Sequence, residues 1–137
     1  MRQPRHRFGE HTGEVELTVE APSLAALFEE AARALAELQA EDAGGAPTRS
    51  EERITLTSSD RDALLVDWLN ELVYHGEVNK CVYADVTVAR IDERELEAIV
   101  RGREPLAPRT AVKAATWHGL RIRSCDDGVE ATVVLDV

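Results

Sequence analysis

Two carboxylates near opposite ends of the sequence are the first candidates for chemistry. Glu14 stands where Glu10-His11-Thr12-Gly13-Glu14 opens a strand-like stretch, and Asp136 stands one residue before Val137. If the first and last strands are neighbours, these two side chains converge with the carboxylate of Val137. Three negative charges held together repel unless a cation joins them. Hard oxygen donors select calcium or magnesium over zinc or copper. Taken alone, Glu14 and Asp136 read first as solvated surface charges, and the cluster is the second reading. His11, beside a threonine at a strand entrance, reads as a hydrogen-bonded structural residue before a ligand, and His118 is the other candidate histidine. Lys113, in the otherwise apolar Val112-Lys113-Ala114-Ala115, reads as an outward-facing strand lysine. Its functional alternative is a cation aimed at an acidic cluster or at a partner's phosphate. The chain has no phosphate-cradling glycine loop, Gly-x-Ser-x-Gly elbow or His-Glu-x-x-His pair.

The most strongly patterned segment, Asp60 to Glu77, must do much of the positioning. Leu64, Leu65, Trp68, Leu69, Leu72 and Val73 fall at helical spacing and form one apolar stripe, with Asp67, Asn70 and Glu71 off it. Ser59 with Asp62 reads as the start signal and Gly76 as the stop. Trp68 is expected to be wrapped by a sheet. An earlier helix follows Pro22-Ser23, with Leu24, Leu27, Phe28, Ala31, Leu35 and Leu38 on one face. Strands are expected around Glu14–Glu20, Arg53–Thr57, Cys81–Ile91, Leu96–Val100, Val112–Arg123 in two pieces, and Val129–Val137. Asp127-Gly128 is a hairpin signal. Residues 1–9 read as a flexible lead, 42–50 as a loop, and 10–137 as one domain. Two amphipathic helices and hairpin-connected strands give an α+β fold, with both helices packed on a mainly antiparallel or mixed sheet of about six strands.

Bulk properties narrow the partners. The 137 residues suffice for one core. The net charge of -10 disfavours a direct grip on nucleic acid unless charge is very unevenly placed, and favours a protein, a cation or a basic surface. Aromatics at 4% give little material for stacking bases. Cys81 and Cys125 stand alone and read as free thiols. The basic first residues are followed by no apolar segment, so neither a signal peptide nor a membrane span is expected, and the cytoplasm is the default.

Four stretches then carry a resemblance: Glu10-His11-Thr12; Leu64-Leu65-Val66-Asp67-Trp68-Leu69-Asn70-Glu71-Leu72; Val112 through Leu120; and Val134-Leu135-Asp136-Val137. In this order and spacing they resemble the archease family from Phe8 to Val137. The resemblance implies a compact α+β domain that is not itself an enzyme. It implies a cofactor protein for an RtcB-type RNA ligase of tRNA splicing and RNA repair. That ligase uses GTP and divalent metal, and its guanylylation and turnover are promoted. The family's metal site falls on Glu14, Asp136 and Val137, and its functional lysine on Lys113, with His11 and His118 in the matching stretches. Two departures stand out. His11-Thr12-Gly13-Glu14 replaces the family's His-Thr-Ala-Asp, and Trp117 replaces a tyrosine. The rival reading is a general acidic protein-binding or chaperone-like module. A metal-dependent hydrolase is a weaker rival, because no base–nucleophile pair is visible.

Overall fold

The computed structural model describes residues 3–41, 47–105 and 107–137, the side chains of 118 and 119 excepted. Nine strands and two helices occur among the described residues: β1 (Arg5–His11), β2 (Glu14–Ala21), α1 (Leu24–Gln39), β3 (Ala40–Glu41), β4 (Thr48–Thr57), α2 (Arg61–Asn79), β5 (Val82–Ile91), β6 (Glu95–Arg103), β7 (Ala107–Pro108), β8 (Ala114–Cys125) and β9 (Gly128–Asp136). They form a four-stranded sheet in the order β1-β2-β9-β8, a three-stranded sheet in the order β4-β6-β5, and the small β3-β7 ladder. Every pairing is antiparallel. The α+β class holds, with more strands than six.

One core joins both helices to both larger sheets. Alternation places Val15, Leu17 and Val19 of β2 and Ala131, Val133 and Leu135 of β9 on the inner face, all nearly inaccessible. The helices also cover exposed main chain. On α1, Glu29 accepts the Val88 N–H of edge strand β5 at 2.9 Å. On α2, Asp62 accepts the Ile122 N–H of edge strand β8 at 2.8 Å, and Arg61 donates to the Ile122 carbonyl at 3.0 Å. Asn70 pairs with Ala115 in both directions. Side chains thus substitute for a missing neighbour strand.

Several expectations change. The supposed lead is largely β1, paired along its length with β2 through a turn that places Gly13 at φ 73. Its inner face pairs Phe8, packed against the core, with His6, whose ring nitrogens lie 2.6 and 2.7 Å from Glu30 and Glu37 of α1. The cap of α2 is Asp60, whose carboxylate accepts the Ala63 N–H at 2.8 Å, not Ser59. Asp62 is drawn away to β8. Gly76 does not end α2. The helix continues to Asn79 and stops at Lys80, in the left-handed region at φ 57. At Gly76 a Cβ would lie 2.7 Å from the Cys81 carbonyl oxygen, so close backbone approach explains the glycine. Trp68 is fully buried, but its indole N–H donates to the Phe28 carbonyl of α1 at 2.9 Å, tying helix to helix. β4 begins at Thr48, inside the expected loop, while 42–46 lie outside the described residues. The two pieces around Val112–Arg123 are one strand, β8, with a register shift between Thr116 and Arg121.

Candidate metal centre

The register of the four-stranded sheet brings the two ends of the sequence together. Glu14 on β2 lies directly opposite Asp136 on β9, and Ala114 on β8 flanks Asp136 from the other side. Directly opposed residues share a face, so Glu14 and Asp136 point out of the same side of the sheet. Their inward neighbours Val15, Leu135 and Ala115 are buried and anchor the three strands beneath the site.

Main-chain bonds extend the arrangement past the strand ends. The Val137 N–H donates to the Gly13 carbonyl at 3.2 Å, and the Lys113 N–H donates to the Asp136 carbonyl at 2.8 Å. Val137 is therefore tied to the turn before Glu14, and Lys113 to the residue beside it. Glu14 and Lys113 are exposed; Asp136 and Val137 are half-buried. Among the described residues, neither the Glu14 nor the Asp136 side chain has a hydrogen bond or ion pair, so both carboxylates are open acceptors.

His11, at the end of β1, is exposed and directly opposite Glu14. His118 falls on the irregular part of β8, and its side chain lies outside the described residues. Among the described residues, no three His, Cys, Asp or Glu side chains come close enough to hold a metal ion. The candidate donor set is two side-chain carboxylates with a main-chain oxygen of Val137. That all-oxygen chemistry suits a hard divalent cation. Asn70 went unassigned in the sequence reading, yet its grip on Ala115 fixes the strand two residues beyond Lys113. Its one sequence signal is its place off the apolar stripe of α2.

The Archease protein family (MTH1598/TM1083) matches residues 6–137. Protein archease of Methanosarcina acetivorans is 32% identical over 142 residues, covering 97% of this chain and 96% of the relative. Protein archease of Methanothermobacter thermautotrophicus is 33% identical over 118 residues, covering 81% and 83%. Among solved structures, the solution structure of Methanobacterium thermoautotrophicum protein 1598 superposes with a TM-score of 0.77 at 28% identity, covering 96% of this chain and 98% of that one. A Thermotoga maritima crystal structure, described as an archease and possible chaperone, has a TM-score of 0.66 at 22% identity and covers 100% and 98%. No helix among the described residues is long and apolar enough to cross a membrane. This chain belongs to the Archease protein family.

Proposed function

We propose that this protein is a non-catalytic activator of an RtcB-type RNA ligase, acting through a divalent cation, calcium or magnesium, held by Glu14, Asp136 and Val137. The observation that carries the reading is the direct Glu14–Asp136 pairing across β2 and β9, with Val137 tied to Gly13. Two open carboxylates side by side repel each other, and a bound cation relieves that repulsion. A cation held there supplies positive charge against the phosphate oxygens of nucleotidyl transfer. The sheet keeps the carboxylates in fixed register. Lys113, just before β8 and bonded through its main chain to Asp136, carries the ammonium group that in this reading meets a nucleotide phosphate brought by the ligase. His11 stands opposite Glu14, on the ligase-facing side in this reading, and His118 belongs to β8 farther along the chain.

The test is turnover of a ligase from the same source on broken RNA with GTP, with this protein substoichiometric. Glu14→Ala, Asp136→Ala and Lys113→Ala are expected to abolish stimulation with unchanged circular dichroism. Calcium titration by calorimetry is expected to show one site, lost in Asp136→Ala. Normal stimulation by all three variants would refute the assignment.

One observation favours a second reading. Tyr74, Val78 and Trp117 are large apolar side chains left 60%, 59% and 57% exposed. Such groups suit a protein-binding surface, in keeping with the words "possible chaperone" attached to the Thermotoga maritima relative. Suppression of client aggregation that is indifferent to Asp136→Ala would favour it.

A further inference from the structure

The outer face of the four-stranded sheet is electrically divided. Its acidic end carries Glu14, Glu16 and Asp136. Farther along the same strands, the register builds two rows across the sheet. One row reads Arg7–Thr18–Thr132–Arg121, and the next reads Arg5–Glu20–Glu130–Arg123. All four arginines are exposed. The Thr18 and Thr132 hydroxyls lie 3.3 Å apart in the centre. Shallow clefts flank them, about 320 Å³ along Arg5, His6, Arg7, Thr18 and Glu20, and about 130 Å³ along Arg121, Arg123, Glu130 and Thr132.

What marks these arginines is their clustering on one face. Elsewhere Arg33, Arg53, Arg90, Arg101, Arg103 and Arg109 each meet a carboxylate, while Arg49 and Arg61 donate to main-chain carbonyls. In the two rows Arg5 meets Glu20, whereas Arg7, Arg121 and Arg123 have no carboxylate partner among the described residues. A chain of net charge -10 has carboxylates to spare, yet among the described residues none of them pairs with these three guanidinium groups on one face.

We propose that this basic end binds the phosphodiester backbone of a single nucleic-acid strand, with a phosphate seated over Thr18 and Thr132 between Arg7 and Arg121. The chemistry matches. Guanidinium forks bind phosphate oxygens bidentately, and threonine hydroxyls add donors beneath. The Cα atoms of Arg7 and Arg121 are three strand spacings apart, about 14 Å. Extended arginines close that gap around one phosphate. Arg123 lies about 7 Å farther along its strand, opposite Glu130, and reaches the next phosphate, while Arg5 is held by Glu20. The two rows hold no apolar anchor of the kind that centres a protein interface, which disfavours an acidic peptide. They hold no aromatic ring, so bases go unread and binding is indifferent to sequence. Naming the strand as RNA rests on the ligase reading; the phosphate chemistry does not. The patch lies about 13 Å from Asp136, four residues along β9, so a strand crossing it would run toward the acidic end.

The test uses the protein alone. Fluorescence anisotropy at low salt is measured with a labelled unstructured RNA, the same sequence as DNA, and a polyglutamate peptide. Arg7→Glu with Arg121→Glu is the test variant, and Arg53→Glu with Arg90→Glu, on the other sheet, is the control with the same change in net charge. The expected result is weak RNA binding that falls with salt at a logarithmic slope of about -1.5 to -2, for two to three phosphates on a single strand. The double variant loses at least tenfold, and the control loses less than twofold. Equal binding of DNA supports the phosphate site and removes only the preference for RNA. Absence of RNA binding, an unchanged double variant, an equal loss in the control, or preferred binding of polyglutamate would overturn the proposal. Ligase guanylylation measured without RNA separates the two readings: its failure to respond to the wild-type protein sinks the activator function and leaves the strand site standing.

Discussion

Replacing Asn70 by alanine tests whether a helix side chain truly substitutes for a missing strand. The amide N–H donates to the Ala115 carbonyl at 3.2 Å, and the amide oxygen accepts the Ala115 N–H at 2.8 Å. Each bond contributes about 0.5–1.5 kcal/mol net. Truncation also strands two main-chain groups in a half-buried setting, where water reaches them only partly. The expected loss is therefore about 2–3 kcal/mol. For a chain of this size each kcal/mol moves the melting temperature by about 3–5 °C, so the drop should be roughly 6–15 °C. Urea unfolding should show a lower midpoint with an unchanged slope. Hydrogen exchange should show faster loss at the Ala115 amide. Asn70→Asp keeps the acceptor and loses the donor, and should cost less than Asn70→Ala. An Asn70→Ala protein within about 0.5 kcal/mol of wild type, with Ala115 still protected, would refute the edge-substitution argument.

Gly76→Ala sets helix propensity, worth up to about 1 kcal/mol in favour of alanine, against a Cβ placed 2.7 Å from the Cys81 carbonyl oxygen. The backbone clash should win and lower stability by about 1–3 kcal/mol, whereas a raised urea midpoint would show that the β5 entrance yields. Lys80→Gly relieves a left-handed residue at the end of α2 and should raise stability by up to about 1 kcal/mol, read by the same assay. For Glu30, burial raises the carboxyl pKa, but hydrogen bonds from His6 and Arg33 outweigh it and hold the group below 4.5. A depressed folded pKa contributes stability that is present above the unfolded value and lost as pH falls through the folded one. Glu30→Gln should therefore flatten the acid limb of a stability–pH profile below pH 4.5, and an unchanged limb would remove this carboxylate as its source.

What the sequence made legible follows from which forces leave a pattern. The stripe on α2 and the alternation on β9 are written in apolar residues, and both elements form where expected. The Glu14–Asp136 pairing is legible only as a condition, that the first and last strands be neighbours, and the register supplies that condition. β1 stays hidden because Phe8 is its one large apolar inward residue, and the other, His6, is polar and satisfied by Glu30 and Glu37, contacts that no periodicity announces. Asp62 looked like part of a cap because local spacing cannot foresee a competing Ile122 N–H sixty residues away. Gly76 looked like a stop because the crowding that demands glycine comes from Cys81 beyond the helix end. The arginine rows were invisible for a related reason: residues 5, 7, 121 and 123 become neighbours only through register, and the net charge averages them away.

The β2–β9 pairing also dictates an order of assembly. Chains emerge amino-terminus first, and β2 is complete long before β9 exists. At about 5–20 residues per second, roughly 5–25 s separate the two. Meanwhile the β1–β2 hairpin offers an unpaired edge, the kind of surface on which nascent chains aggregate. The three-stranded sheet is finished once β6 is made and supplies an early platform, with α1 and α2 already available to cover it. The Glu14–Asp136 pair thus forms late, so a newborn chain can be largely folded before these two carboxylates meet.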